Sequence, residues 1–143
     1  MKLKSMFMTL LILIFASMAF AGPILNKVID ATTIVASGNT TSSVIPREGQ
    51  SMAGIGGYFT LYVAVTGDGT AKIEYLASLD GITYLEPSTA TDVATGLTKT
   101  SGPGSDGKTI VRFGPIAAPK YKIKVTETGG ANSVIVTVWA FIY

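Results

Sequence analysis

The sequence contains no cysteine and no histidine. Without cysteine there is no disulfide framework, even though the chain carries the marks of export. Together the two absences remove the usual ligands of zinc, copper and haem iron. They also remove every mechanism that runs on an imidazole base or a thiolate nucleophile. No D-x-D-x-D calcium spacing, twin-arginine pair or internal repeat occurs, and no helical period follows the N-terminal segment. No cofactor and no catalytic constellation are expected. Ser105 and Lys108 could pair on paper, but glycine-rich flanks make a poor preorganised site.

What is present begins with a leader. Lys2 and Lys4 precede a hydrophobic stretch from Met6 to Ala16, and Ala19-Phe20-Ala21 follows. A basic start, a short apolar run and a small-x-small ending are the parts of a Sec signal peptide. The apolar run is shorter than the roughly 20 residues a spanning helix needs. Residues 1–21 are therefore expected to be removed, leaving one domain over residues 22–143, secreted or at the cell surface and not held in a membrane. The full chain has 11 basic and 9 acidic residues. Lys2 and Lys4 leave with the signal, so the remaining 122 residues carry nine of each and are formally neutral. A neutral chain does not repel its own copies and is no nucleic-acid binder by charge.

The mature chain alternates with a period of two. Phe59, Leu61, Val63 and Val65 share one face, with Tyr58, Thr60, Tyr62 and Ala64 on the other. Ile73, Tyr75, Ala77 and Leu79 alternate with Lys72, Glu74 and Ser78, and Tyr121, Ile123 and Val125 with Lys120, Lys122 and Lys124. Such runs are strands with one wet face. A first strand is expected within residues 24–36, and weak strands near Val44, Val93 and Ile110. Asp-Gly and Gly-Gly pairs separate the runs as turns, and residues 47–57 and 98–108 read as exposed loops. Seven or eight short strands predict an all-β fold: a single antiparallel β-sandwich, jelly-roll-like or immunoglobulin-like.

Five sets of residues are candidates for function. Asp68, Asp80 and Asp106 each precede a glycine and are weak calcium candidates; turn chemistry alone explains all three. Lys120, Lys122 and Lys124 form a basic stripe suited to an anionic polysaccharide; the plain alternatives are a solvated sheet face or a charged edge strand. Alternation puts no aromatic residue on the face these lysines share, which argues against nucleic acid. Tyr58, Tyr62, Tyr75, Tyr84 and Tyr121 suit core and rim packing, or, where exposed, stacking on sugars or anchoring an interface. The final strand is apolar on both faces. Trp139, Phe141 and Tyr143 line one of them, so the strand suits a sandwich centre, a contact with another subunit or the end of an outer-membrane barrel. Residues 22–36 carry Ile24, Leu25, Val28, Ile29, Ile34 and Val35 with few charges. They suit either a first strand of this domain or a strand added to a neighbour's sheet.

Ser78-Leu79-Asp80-Gly81 followed by Tyr84 resembles the S-x-D-G-x-x-aromatic hairpin of small β-sandwich modules. Such modules occur in phage virion proteins and bacterial surface proteins. The resemblance extends over residues 58–143 through Gly102–Gly107, the Lys-Ile-Lys-Val-Thr run at 122–126 and the terminal apolar strand. It implies a sandwich used in assembly or attachment, with no catalytic residues. The export signal favours a cell-surface or extracellular setting over a virion. The expected protein is thus a self-associating subunit of an extracellular assembly, filament-like and built by strand addition. A polysaccharide-binding adhesion module and a small outer-membrane barrel are the alternatives.

Overall fold

The structure is a computed structural model that describes residues 24–46, 58–88 and 92–142. The expected leader, the expected exposed loop at 47–57 and Tyr143 lie outside these residues. Every described element is a strand: β1 (Ile24–Ile34), β2 (Asn39–Thr41), β3 (Ile45–Pro46), β4 (Phe59–Gly67), β5 (Ala71–Ser78), β6 (Ala94–Leu97), β7 (Lys108–Phe113), β8 (Lys120–Glu127) and β9 (Val134–Ile142). The three weak strands expected near Val44, Val93 and Ile110 correspond to β3, β6 and β7.

One sheet has the order β1-β9-β4-β7 and the other β2-β8-β5-β6, with β3 continuing β2 along β8. All pairings are antiparallel. Counting β2 and β3 as one interrupted strand, β1 pairs with β9, β2/β3 with β8, β4 with β7 and β5 with β6. This nested pairing split over two sheets is the jelly roll. The sheets do not close on each other. An outer-membrane barrel, which must close to satisfy every strand edge, is therefore not what this chain builds.

Alternation puts the core between the sheets. Phe59, Leu61, Val63 and Val65 from β4 meet Val134, Val136, Val138 and Ala140 from β9 on one side. Ala71, Ile73, Tyr75 and Ala77 from β5 lie beside Tyr121, Ile123 and Val125 from β8 on the other. Val28, Ile29 and Ile34 add the inner side of β1. Leu79 departs from the alternation: it lies just past the last residue of β5 and is 79% exposed.

The two ends of the sandwich are closed differently. At the end where β1 begins and β9 finishes, Phe59 meets Tyr121 edge-on at 5.0 Å and stacks on Phe113 at 5.5 Å. Tyr75 and Tyr121 also tie down the chain before β8. The Ile116 N–H donates to Tyr75 Oη at 3.2 Å, and Tyr121 Oη donates to the Ile116 carbonyl at 2.6 Å. At the opposite end Glu127, buried at the finish of β8, accepts four backbone N–H groups: Ser37, Thr70, Gly129 and Gly130. One carboxylate thus joins the β1–β2, β4–β5 and β8–β9 turns.

Candidate functional site

The three aspartates do not converge. Asp68 and Asp106 sit at the Glu127 end and Asp80 at the other, separated by the length of β5, roughly 26 Å for eight strand residues. Each is engaged locally. Asp80 Oδ1 accepts from Ile82 N–H at 2.9 Å, Thr83 N–H at 2.8 Å and Ser78 Oγ at 2.9 Å. These bonds, the Ile82 one first, hold its carboxyl well below the usual carboxylate range. Lys99 lies 2.6 Å from Asp68 and lowers its pKa, and Lys108 does the same for Asp106 at 2.9 Å. The exchange also raises the pKa of Lys108, which makes it a poor base beside Ser105. The acidic groups that do cluster are Glu74, Glu86 and Asp92. Lys72 Nζ lies 2.7 Å from Glu74 and 3.4 Å from Asp92, so an ammonium of the chain itself serves two of these three carboxylates. Burial works to raise the Glu74 pKa, but Lys72 and Lys124 outweigh it and the net shift is downward.

The lysine stripe runs along β8, which is flanked by β2/β3 and β5 and is not an edge. Lys120, Lys122 and Lys124 stand on the outer face of that sheet. Lys124 pairs with Glu74 at 3.1 Å. Lys122 Nζ lies 4.3 Å from the centre of the Tyr84 ring, so the stripe does carry an aromatic partner. Sequence order hid it because Tyr84 reaches this face from the turn after β5. Its hydroxyl is buried with no hydrogen-bond partner. Beside this turn, Leu79, Leu85, Pro87 and Ile116 line a mainly apolar open groove of about 560 Å³.

The strand-addition candidates divide. Residues 24–34 pair with β9 of the same chain, and Val28, Ile29 and Ile34 are buried in its own core. Leu25 and Val35 are exposed. The side chain of Ile24 and all of Tyr143 lie outside the described residues. Trp139 and Phe141 are half-buried on the outer face of the β1-β9-β4-β7 sheet.

That outer face brings aromatic and apolar side chains from four strands together. One row across it reads Leu25, Phe141, Thr60 and Arg112; the next reads Lys27, Trp139, Tyr62 and Ile110. Ile135 continues the stripe along β9. Leu25 is 57% exposed and Ile110 70%. Cations brace the rings: Lys27 Nζ lies 5.0 Å from Trp139, and the Arg112 guanidinium 3.8 Å from Tyr58. Sequence reasoning found the β9 half of this surface. It named Tyr62 only among the tyrosines and Ile110 only as a weak strand, because sheet order alone places both beside Trp139. No protein-family model matches the chain, and no curated protein matches it.

Proposed function

We propose that the protein is an exported structural subunit of an extracellular or cell-surface assembly, and that it associates with further copies of itself. The observation that carries this reading is the outer face built on Leu25, Tyr62, Ile110, Trp139 and Phe141. The fold's own core lies on the other side of the same strands, and on this side Leu25 and Ile110 are exposed while Tyr62 and Trp139 are half-buried. Aromatic residues and arginine around an apolar centre are the composition of association surfaces. Because β1 completes its own sheet, association needs no donated strand. The jelly-roll order is compatible with many roles and by itself selects none.

Trp139 is the only tryptophan, so its emission reports on this face. The mature protein is expected to gain mass in light scattering as concentration rises, with a blue shift of Trp139 emission over the same range. A constant monomer mass with unchanged emission at high concentration would overturn the reading.

A second reading, a binding module for an anionic surface polysaccharide, rests on Lys120 and Lys122. Neither has a carboxylate partner among the described residues, and Tyr84 lies against Lys122. Salt-sensitive retention on an anionic polysaccharide, lost with Lys120 and Lys122 changed to glutamine, would favour it.

A further inference from the structure

Each sheet has two outer strands, and three of the four edges are blunted. β1 has register shifts at Lys27/Ile29 and Ile29/Thr32, with Ala31 at φ 39°. β2 and β3 are three and two residues long, and β3 ends on Pro46. β6 has four residues, a register shift and Gly96 at φ 68°. Short, bulged or proline-bearing strands are the usual guards against edge pairing. β7 has none of these features. Lys108–Phe113 runs six residues in unbroken register with β4, and no strand among the described residues pairs with its other side.

The open side is ready to pair. Val65 N–H donates to the Gly107 carbonyl at 2.9 Å, which fixes the phase of the ladder. Hydrogen-bonded pairs alternate in an antiparallel ladder, so Thr109, Val111 and Phe113 bond to β4. The N–H and C=O groups of Lys108, Ile110 and Arg112 therefore point away from the sheet. Charge on an edge strand usually prevents pairing, but both cations here are drawn aside. Lys108 pairs with Asp106 at 2.9 Å, and Arg112 lies over Tyr58.

We infer that β7 is a self-pairing edge: two copies join antiparallel through β7, making one continuous eight-stranded sheet about a two-fold axis. The inference rests on the self-association proposed above and names its contact. Charge disfavours the register centred on Ile110 and allows the one centred on Val111. With Ile110 opposite Ile110 of the second copy, Lys108 would face Arg112, and like charges directly opposite are destabilising. With Val111 opposite Val111, each Ile110 faces an Arg112 and no cations oppose. In that register Ile110 and Arg112 exchange four main-chain hydrogen bonds across the axis. A two-fold contact closes on itself. Growth beyond the dimer then needs a second contact, and the outer face of Trp139 and Phe141 provides one.

Two experiments on the mature protein test this. Because the chain has no cysteine, an introduced thiol has only its own copy to pair with. A central non-hydrogen-bonded pair has Cα atoms about 4.5 Å apart, within disulfide range. Val111→Cys is expected to form a covalent dimer under mild oxidation, and Ile110→Cys to form little. The reverse yields would overturn the register; absence of dimer from both would overturn β7 pairing. Ile110→Pro removes an outward N–H and leaves the bonds to β4 in place. It is expected to keep the fold by circular dichroism and lose the dimer. If the wild-type protein associates and Ile110→Pro associates equally, the β7 contact is wrong and self-association stands. If the wild-type protein is monomeric throughout, both fall.

Discussion

Glu127 holds three turns with one carboxylate. Its pKa is lowered to about 2, first by the Ser37 N–H, with Thr70, Gly130 and Gly129 adding to it against the opposing effect of burial. A carboxyl whose pKa is depressed by folding stabilises the fold above its unfolded pKa, here about 4.5, and loses that contribution as pH falls toward 2. Glu127→Gln is therefore expected to melt at lower temperature at pH 7. The gap between variant and parent should close as pH drops from about 4.5 to about 2. A gap that does not change with pH would show that the ionised carboxylate is not what binds the turns. The residue was within reach of the sequence. It falls at an inward position of the Tyr121, Ile123, Val125 alternation, where an apolar side chain is expected, and Gly129-Gly130 follows. An acidic group there needs donors, and a tight turn supplies backbone N–H groups. The inward faces of β4, β5 and β8 were legible because alternation reports burial directly, whereas β9, apolar on both faces, gave no such signal. The roles of Tyr84 and Tyr62 were not, since their neighbours come from distant parts of the chain.

At the scale of elements, the loop between β6 and β7 is knit by its own bonds. Ser101 N–H donates to the Thr98 carbonyl at 3.0 Å, and Gly107 N–H to the Ser101 carbonyl at 2.9 Å. Gly107 has φ 75°, and a Cβ there would collide with the Val65 carbonyl that faces β7. Gly96 in β6 has a similar φ of 68° with open space where its Cβ would stand. The pair separates two costs. Gly96→Ala should lose only the conformational part, about 1–2 kcal/mol. Gly107→Ala should lose that and more, because the backbone of β4 must move. Equal melting temperatures for the two variants would show that the contact with Val65 carries no weight. Glycine-rich spacing marked this segment as a loop in the sequence. The sequence did not reveal its bond to the end of β4, because the φ of a glycine and its close neighbours depend on the turn it enters. β3, β6 and β7 were faint for a related reason: strands of two to six residues hold too few alternations to stand out.

For the molecule as a whole, sandwich architecture was legible and strand order was not. Turn spacing and alternation fix how many strands there are and which faces are apolar, whereas β1 with β9 or β4 with β7 pair across long stretches of chain. The outer face of Trp139 emerges only once β9 is placed between β1 and β4. The proposed export would bear on that face through charge. The full chain carries a formal charge of +2, and loss of residues 1–21 brings it to zero. β1 begins at Ile24, so cleavage after Ala21 would leave the whole first strand in the mature protein. A retained leader would instead add the apolar run of residues 6–16 next to an edge strand, together with two lysines. Neutrality removes long-range repulsion between copies, so self-association should proceed without added salt. The secreted protein is therefore expected to begin at Gly22 by intact mass. It should also focus at a more acidic position than an uncleaved precursor, by the loss of Lys2 and Lys4. A secreted species that retains Met1 and focuses with the precursor would refute signal processing, and with it the neutral subunit on which unassisted assembly depends.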